Sequence, residues 1–129
     1  MGQDSAVTHI GVSGSNTNDT GYAINLTGNA VTITGIALLP KTSVSTHASN
    51  YITTTISAGG VTLATHTTNS SGGSAMVAGT PLSLTFASTG VGTALELASA
   101  GVITVAVVSS GTGPAYNFTS YFPLRYNRV

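Results

Sequence analysis

The sequence predicts an all-β fold, an antiparallel sandwich or barrel, and three observations carry that expectation. Helix-forming Glu, Lys, Gln and Arg are scarce, while β-branched Val, Ile and Thr are abundant. Apolar positions alternate with hydroxyl residues at the period of a half-buried strand. Turn signals rich in Gly and Asn divide the chain into roughly eight or nine short runs, as in sandwiches and barrels. The 129 residues are the size of one domain, and no composition break divides residues 1–129. No repeat of fixed period points to a solenoid or propeller.

The elements follow in order. Residues 6–12 form a first short strand, and the first dozen residues are either that strand or an N-terminal arm. Residues 14–21 read as a polar loop. Tyr22, Ile24 and Leu26 share one face of a second strand. Val31, Ile33, Ala37 and Leu39 share a face of a third that ends at Pro40, with Gly35 marking a bulge or bend. Residues 41–50 are a Ser- and Thr-rich connection. Residues 51–57 and 61–67 read as a hairpin around Ala58-Gly59-Gly60. After a Gly- and Ser-rich loop at 69–73, residues 75–78 form a weak or edge strand. Leu82, Leu84 and Phe86 alternate with Ser83 and Thr85. Residues 93–98 read either as one helical turn or as a structured loop between Gly92 and Gly101. Residues 101–109 are apolar at both parities, which predicts a central strand covered on both sides. Phe118, Phe122, Leu124 and Tyr126 alternate in the last strand. Pro123 removes a ladder donor there and predicts an edge or a bend.

Charged residues make up 5% of the chain, against about 25% in an ordinary domain. The net charge is zero and cysteine is absent, so no disulfide framework or thiolate metal site is available. Redox grounds leave secretion and cytosol both open. The surface must be covered by hydroxyls and amides. Such a surface releases no counterions from nucleic acid and does not steer charged substrates. Near-neutral chains tend to associate, which points to a larger assembly. Met1-Gly2-Gln3-Asp4 lacks the pattern of a signal peptide. No run approaches the ~20 apolar residues of a membrane helix. Neither nucleic acid nor a membrane is therefore an expected partner. The Asn-x-Ser/Thr triplets at Asn18, Asn25, Asn69 and Asn117 are what chance produces in a chain this rich in Asn and Thr.

The titratable inventory is short: Asp4, Asp19, Glu96, Lys41, Arg125, Arg128, His9, His47 and His66. Catalysis needs a nucleophile, an acid or base, and a group that stabilises charge. Gly11-Val-Ser13-Gly-Ser lacks the final Gly of a nucleophile elbow. A glycosidase pair would need two of the three acids, and Asp4 and Asp19 fall in segments expected to be flexible. Glu96 stands alone, as an exposed loop carboxylate or an ion-pair partner across an interface. The histidines are too widely spaced for a local metal motif. His9 and His66 are expected on solvent faces of strands and His47 in a loop, the alternative being three copies of one His on a trimer axis. Residues 11–21 and 71–73 lack the Lys-Ser/Thr and the helix of a phosphate loop. The expectation is a protein with no catalytic residue, no cofactor and no metal. Arg125 and Arg128 beside Tyr121 and Tyr126 form the most interface-like segment, since Tyr and Arg are frequent anchors. The alternative is a strand whose aromatics fill the core and whose arginines keep it soluble. Lys41 is either a second contact point or a solitary exposed cation.

A longer pattern bears on function. A strand ending in Leu38-Leu39-Pro40 is followed by Asn50-Tyr-Ile-Thr-Thr-Thr-Ile56, a Gly-Gly turn and Val61-Thr-Leu-Ala64. Then come Met76-Val-Ala-Gly-Thr-Pro-Leu-Ser-Leu84, a Gly-rich stretch and Gly101-Val-Ile-Thr-Val-Ala-Val107. This order, with its Ala-Gly-x-x-Leu-x-Leu core, resembles the jelly-roll decoration, or cement, proteins of tailed-phage heads over roughly residues 30 to 109. The resemblance implies a single jelly-roll-like antiparallel β-sandwich of about eight strands. It implies a homotrimer on the capsid exterior that braces the major capsid protein of the same virion, with no catalytic residues. Related jelly rolls occur in head fibres and tail-fibre tips, so a receptor- or carbohydrate-binding fibre module is the alternative.

Overall fold

The computed structural model describes residues 4–86 and 95–126. Period-two alternation of inward and outward side chains yields ten strands. They are β1 (Asp4–Ser15), β2 (Asp19–Ile24), β3 (Val31–Ile33), β4 (Ile36–Pro40), β5 (Tyr51–Ala58), β6 (Val61–Thr67), β7 (Leu82–Leu84), β8 (Leu95–Leu97), β9 (Val102–Ser110) and β10 (Ala115–Tyr126). No helix occurs among the described residues.

All pairings between strands are antiparallel. β3 and β4 form one line broken at Thr34-Gly35, with β8 alongside β3 and β7 alongside β4. The first sheet therefore has four rows: β1, β10, β3 with β4, and β8 with β7. The second has the order β2-β9-β5-β6. Counted along the chain, row one pairs with row eight, two with seven, three with six and four with five. That nesting is a jelly roll, a long hairpin folded over into two sheets.

The core between the sheets is aliphatic and aromatic. β10 sends Tyr116, Phe118 and Phe122 inward, and they meet Ile10, Ile33, Leu38, Ile52, Ile103 and Val105. β1 and β10 pair without interruption from Asp4 opposite Tyr126 to Ser15 opposite Ala115. The β5–β6 hairpin turns on Gly59-Gly60, with φ of 58° and 84°. Both positions need the left-handed region, which glycine enters without a Cβ penalty.

Several expectations are corrected. The strand placed at 6–12 extends to Asp4–Ser15, which shortens the polar loop of 14–21 to residues 16–18. Asp19 makes that possible, because its carboxylate accepts from the backbone N–H of Ser13 and of Thr20. Leu95–Leu97 is a strand and not a helical turn. Leu97 is buried, Glu96 is exposed, and Leu97 lies opposite Val31. Residues 93 and 94 of that stretch lie outside the described residues. Residues 75–78 are not a strand; Met76 makes an isolated bridge to Val44. β10 is central and not an edge, despite Pro123. The Pro123 carbonyl accepts from Thr34 N–H at 2.9 Å. A strand residue's C=O and N point to the same side, so the missing donor faces the break at Thr34-Gly35. The bend predicted at Gly35 and the proline are thus one feature.

Asn25 ties two loops together. Its Nδ2 donates to the carbonyls of Asn29, Ala98 and Leu97 at 2.8, 3.0 and 3.3 Å. Its Oδ1 accepts from Thr27 N–H and Thr27 Oγ1. The triplet that begins at Asn25 therefore has its amide nitrogen buried and spent inside the fold.

Candidate interaction surface

The outward face of β2-β9-β5-β6 carries no ionisable group except the phenols of Tyr22 and Tyr51. Register places Tyr22, Thr104, Ser57 and Thr62 in one row and Thr20, Ala106, Thr55 and Thr65 in the next. Val108, Thr53 and Thr67 follow on one side, and Ile24 with Val102 on the other. Tyr22 is 68% exposed, Ile24 52% and Val108 51%. Leu26, just past β2, is also exposed. The sequence predicted that β9 is covered on both sides. The structure covers its Ile103, Val105 and Val107 side and leaves its Val102 and Val108 side open. Tyr22 and Ile24 share a face, as expected, but it is the outer one. Gly21 and Ala23 face inward, and a Cβ at residue 21 would collide with Ile10 Cγ2. Only small residues let β2 close onto β1 there.

The residues singled out in the sequence are dispersed. Tyr121 and Arg125 lie on the outward face of the other sheet, four residues apart on β10. Tyr121 sits against His9, with ring centroids 6.0 Å apart. Arg125 is exposed, opposite Ser5 on one side and Thr32 on the other. Glu96 lies beyond Thr32 in the same row. Tyr126 has the opposite parity and packs against the core. Lys41 is exposed at the far end of the sandwich, where its N–H donates to Asn117. That is eight residues, about 26 Å, along β10 from Arg125. Arg128 lies outside the described residues. The structure thus brings Tyr121 and Arg125 to one face, and neither Tyr126 nor Lys41 joins them. What sequence reasoning missed is the open β2-β9 surface, although the double-sided apolar pattern of β9 was its signal.

Comparison with family models, curated proteins and solved structures finds no match. The chemistry of the site therefore rests on the residues themselves. No cluster of three or more metal-ligating side chains occurs among the described residues.

His66 departs from expectation. A register shift after Ile56 moves Ala64 and His66 to the inward parity, and His66 is only 8% exposed. Its Nε2 lies 3.0 Å from Ser74 Oγ, while its Nδ1 has no partner. Burial pushes its pKa below the ordinary 6.5, and a hydrogen bond with the Ser74 backbone opposes that only in part. The folded ring resists protonation more than the unfolded ring, which takes up a proton below about pH 6.5. The unfolded state then binds more protons, so stability is full above that pH and falls as acid is added. The slope of that loss is at most about 1.4 kcal/mol per pH unit, the limit for one proton. The urea midpoint is expected to drop between pH 7 and pH 5, and His66→Gln should flatten that slope.

Proposed function

We propose that the chain is a non-enzymatic virion protein that binds the outer surface of a phage capsid lattice and stabilises it as a decoration protein. The observation that carries this reading is the open, charge-free face of β2-β9-β5-β6. Tyr22, Ile24, Val102 and Val108 on that face gain by leaving water. The surrounding Thr and Ser hydroxyls can pair without any charge having to be desolvated. The jelly-roll nesting and the resemblance over residues 30 to 109 support the capsid as the setting. The partners on this reading are the major capsid protein and two further copies of this chain. Four strands at ~4.8 Å spacing and seven residues at ~3.3 Å give a face of roughly 400 Å², about half a standard partner surface. One copy then holds weakly, and a trimer engaging the lattice at several points gains by multivalency.

The test is co-sedimentation with DNA-free heads of the encoding virus, together with solution mass by analytical ultracentrifugation. The native chain should bind as a trimer. Thr55→Lys, a substitution in the middle of the face, should weaken binding at least about ten-fold, because a desolvated unpaired charge costs more than 1.4 kcal/mol. Its circular dichroism should be unchanged. A native chain that is strictly monomeric and stays in the supernatant sinks the proposal. Undiminished binding by Thr55→Lys removes this face from it.

A further inference from the structure

At one end of the sandwich, residues 41–50 meet residues 111–115 around an open cleft of about 380 Å³. That volume lies within the range of small-ligand sites. Its rim is polar: Ser45, Thr46, His47, Asn50 and Thr112 line it. Val44, Pro114, Ala115 and the carbon atoms of the polar side chains make most of its exposed lining apolar. No Asp, Glu, Lys or Arg is among the lining residues.

The loops are held in place from beneath. Val44 is buried and exchanges two backbone hydrogen bonds with Met76, each 2.9 Å. His47 donates its N–H to Thr68 and accepts from Ser70 N–H through its carbonyl. Its ring Nδ1 accepts from the N–H groups of Ser49 and Asn50 at 3.0 and 2.9 Å. The neutral ring therefore carries its proton on Nε2 and keeps that donor for another partner. Asn50 Oδ1 accepts from Thr112 N–H at 2.9 Å, which joins the two loops and leaves Nδ2 as a donor. The hydroxyls of Ser45, Thr46 and Thr112 take no part in hydrogen bonds among the described residues. The cleft is thus a fixed set of neutral donors and acceptors around a largely apolar floor.

Ligand classes can be separated on that basis. A charged ligand finds no counter-charge to offset its desolvation. A wholly apolar ligand leaves the polar rim without partners. A peptide adding as a strand needs an open sheet edge, and this cleft is built from loops. A sugar ring offers both a rim of hydroxyls and apolar C–H faces. We infer that the cleft binds a neutral saccharide, with His47 Nε2, Asn50 Nδ2 and the Thr46 and Thr112 hydroxyls as its hydrogen-bonding groups. No Phe, Tyr or Trp ring lines the cleft, so a single copy binds on the order of millimolar and repeated copies raise the avidity. The inference does not depend on capsid attachment, since the cleft and the open sheet face use different residues.

The experiment is a ¹H–¹⁵N titration of the full chain. The probes are neutral trisaccharides of glucose, galactose, mannose and N-acetylglucosamine, with a sialylated trisaccharide and a neutral tripeptide for comparison. At least one neutral sugar should shift the amides of residues 42–50 and 112–115 and leave those of β2 and β9 unmoved. Thr112→Val should weaken that sugar about 2- to 10-fold, the share of one hydrogen bond, with the rest of the spectrum unchanged. Asn50→Asp should weaken it as well. The inference is overturned if no neutral sugar moves these amides, if the sialylated sugar or the tripeptide binds more tightly, or if both variants bind like the native chain. Loss of head binding with retained sugar shifts would remove the capsid proposal and leave this one standing.

Discussion

Phe122→Ala is expected to lower the folding free energy by about 3–5 kcal/mol. Phe122 is fully buried and sits opposite Thr8 of β1, beside the gap between β3 and β4. Removing the ring forfeits its transfer energy and leaves a cavity that cannot collapse easily. β10 is hydrogen-bonded on both flanks, so its backbone cannot move in to fill the space. A domain with a total of about 5–15 kcal/mol would lose a large share of its stability. Urea unfolding at pH 7 measures the loss, and Phe122→Leu should cost clearly less. A change below about 1 kcal/mol for the alanine variant would mean that this side chain is not in the core.

Asn25→Asp is expected to be nearly as damaging, although it changes one atom. Asn25 is buried, and its Nδ2 serves three carbonyls while its Oδ1 serves Thr27. A carboxylate replaces that donor with an acceptor and sets negative charge against the carbonyls of Asn29, Leu97 and Ala98. Unsatisfied buried groups cost about 1–3 kcal/mol each, and charge raises the figure. A loss of about 3–5 kcal/mol at pH 7 follows. Thermal melts of variant and parent at matched pH check it. The gap between them should narrow near pH 4, where protonation returns a donor to the side chain. A gap that does not depend on pH would show that the fault lies in shape and not in charge.

Legibility followed the strength of local pattern. Phe118, Phe122 and the Gly59-Gly60 turn carry strong period and turn chemistry, and the structure has them as expected. The two-sheet antiparallel sandwich was also legible. Pro123 was misread because its exemption comes from a break in a different strand, 89 residues earlier in sequence for the Thr34 side chain bonded to it. His66 was misread because one register shift inverts the parity of everything after it. Leu95–Leu97 is too short to display a period. The open face was half legible: the apolar residues at both parities of β9 were plain, but they predict cover on both sides, and the fold covers only one. The dispersal of Tyr121, Tyr126 and Lys41 depends on parity and strand length, which adjacency in sequence does not reveal.

The uninterrupted ladder between β1 and β10 has a consequence for biosynthesis. β10 lies inside its sheet and follows the other nine described strands in the chain, so β1 has no strand partner, and β3 and β4 have only β8 and β7, until residue 126 has left the ribosome. Completion of the first sheet then waits for β10 and is limited by closure of the long loop between β1 and β10. Until that moment the nascent chain exposes uncharged edges that attract other nascent chains. Yield in a cell should therefore respond to growth temperature and chaperone supply more than to the stability of the finished domain.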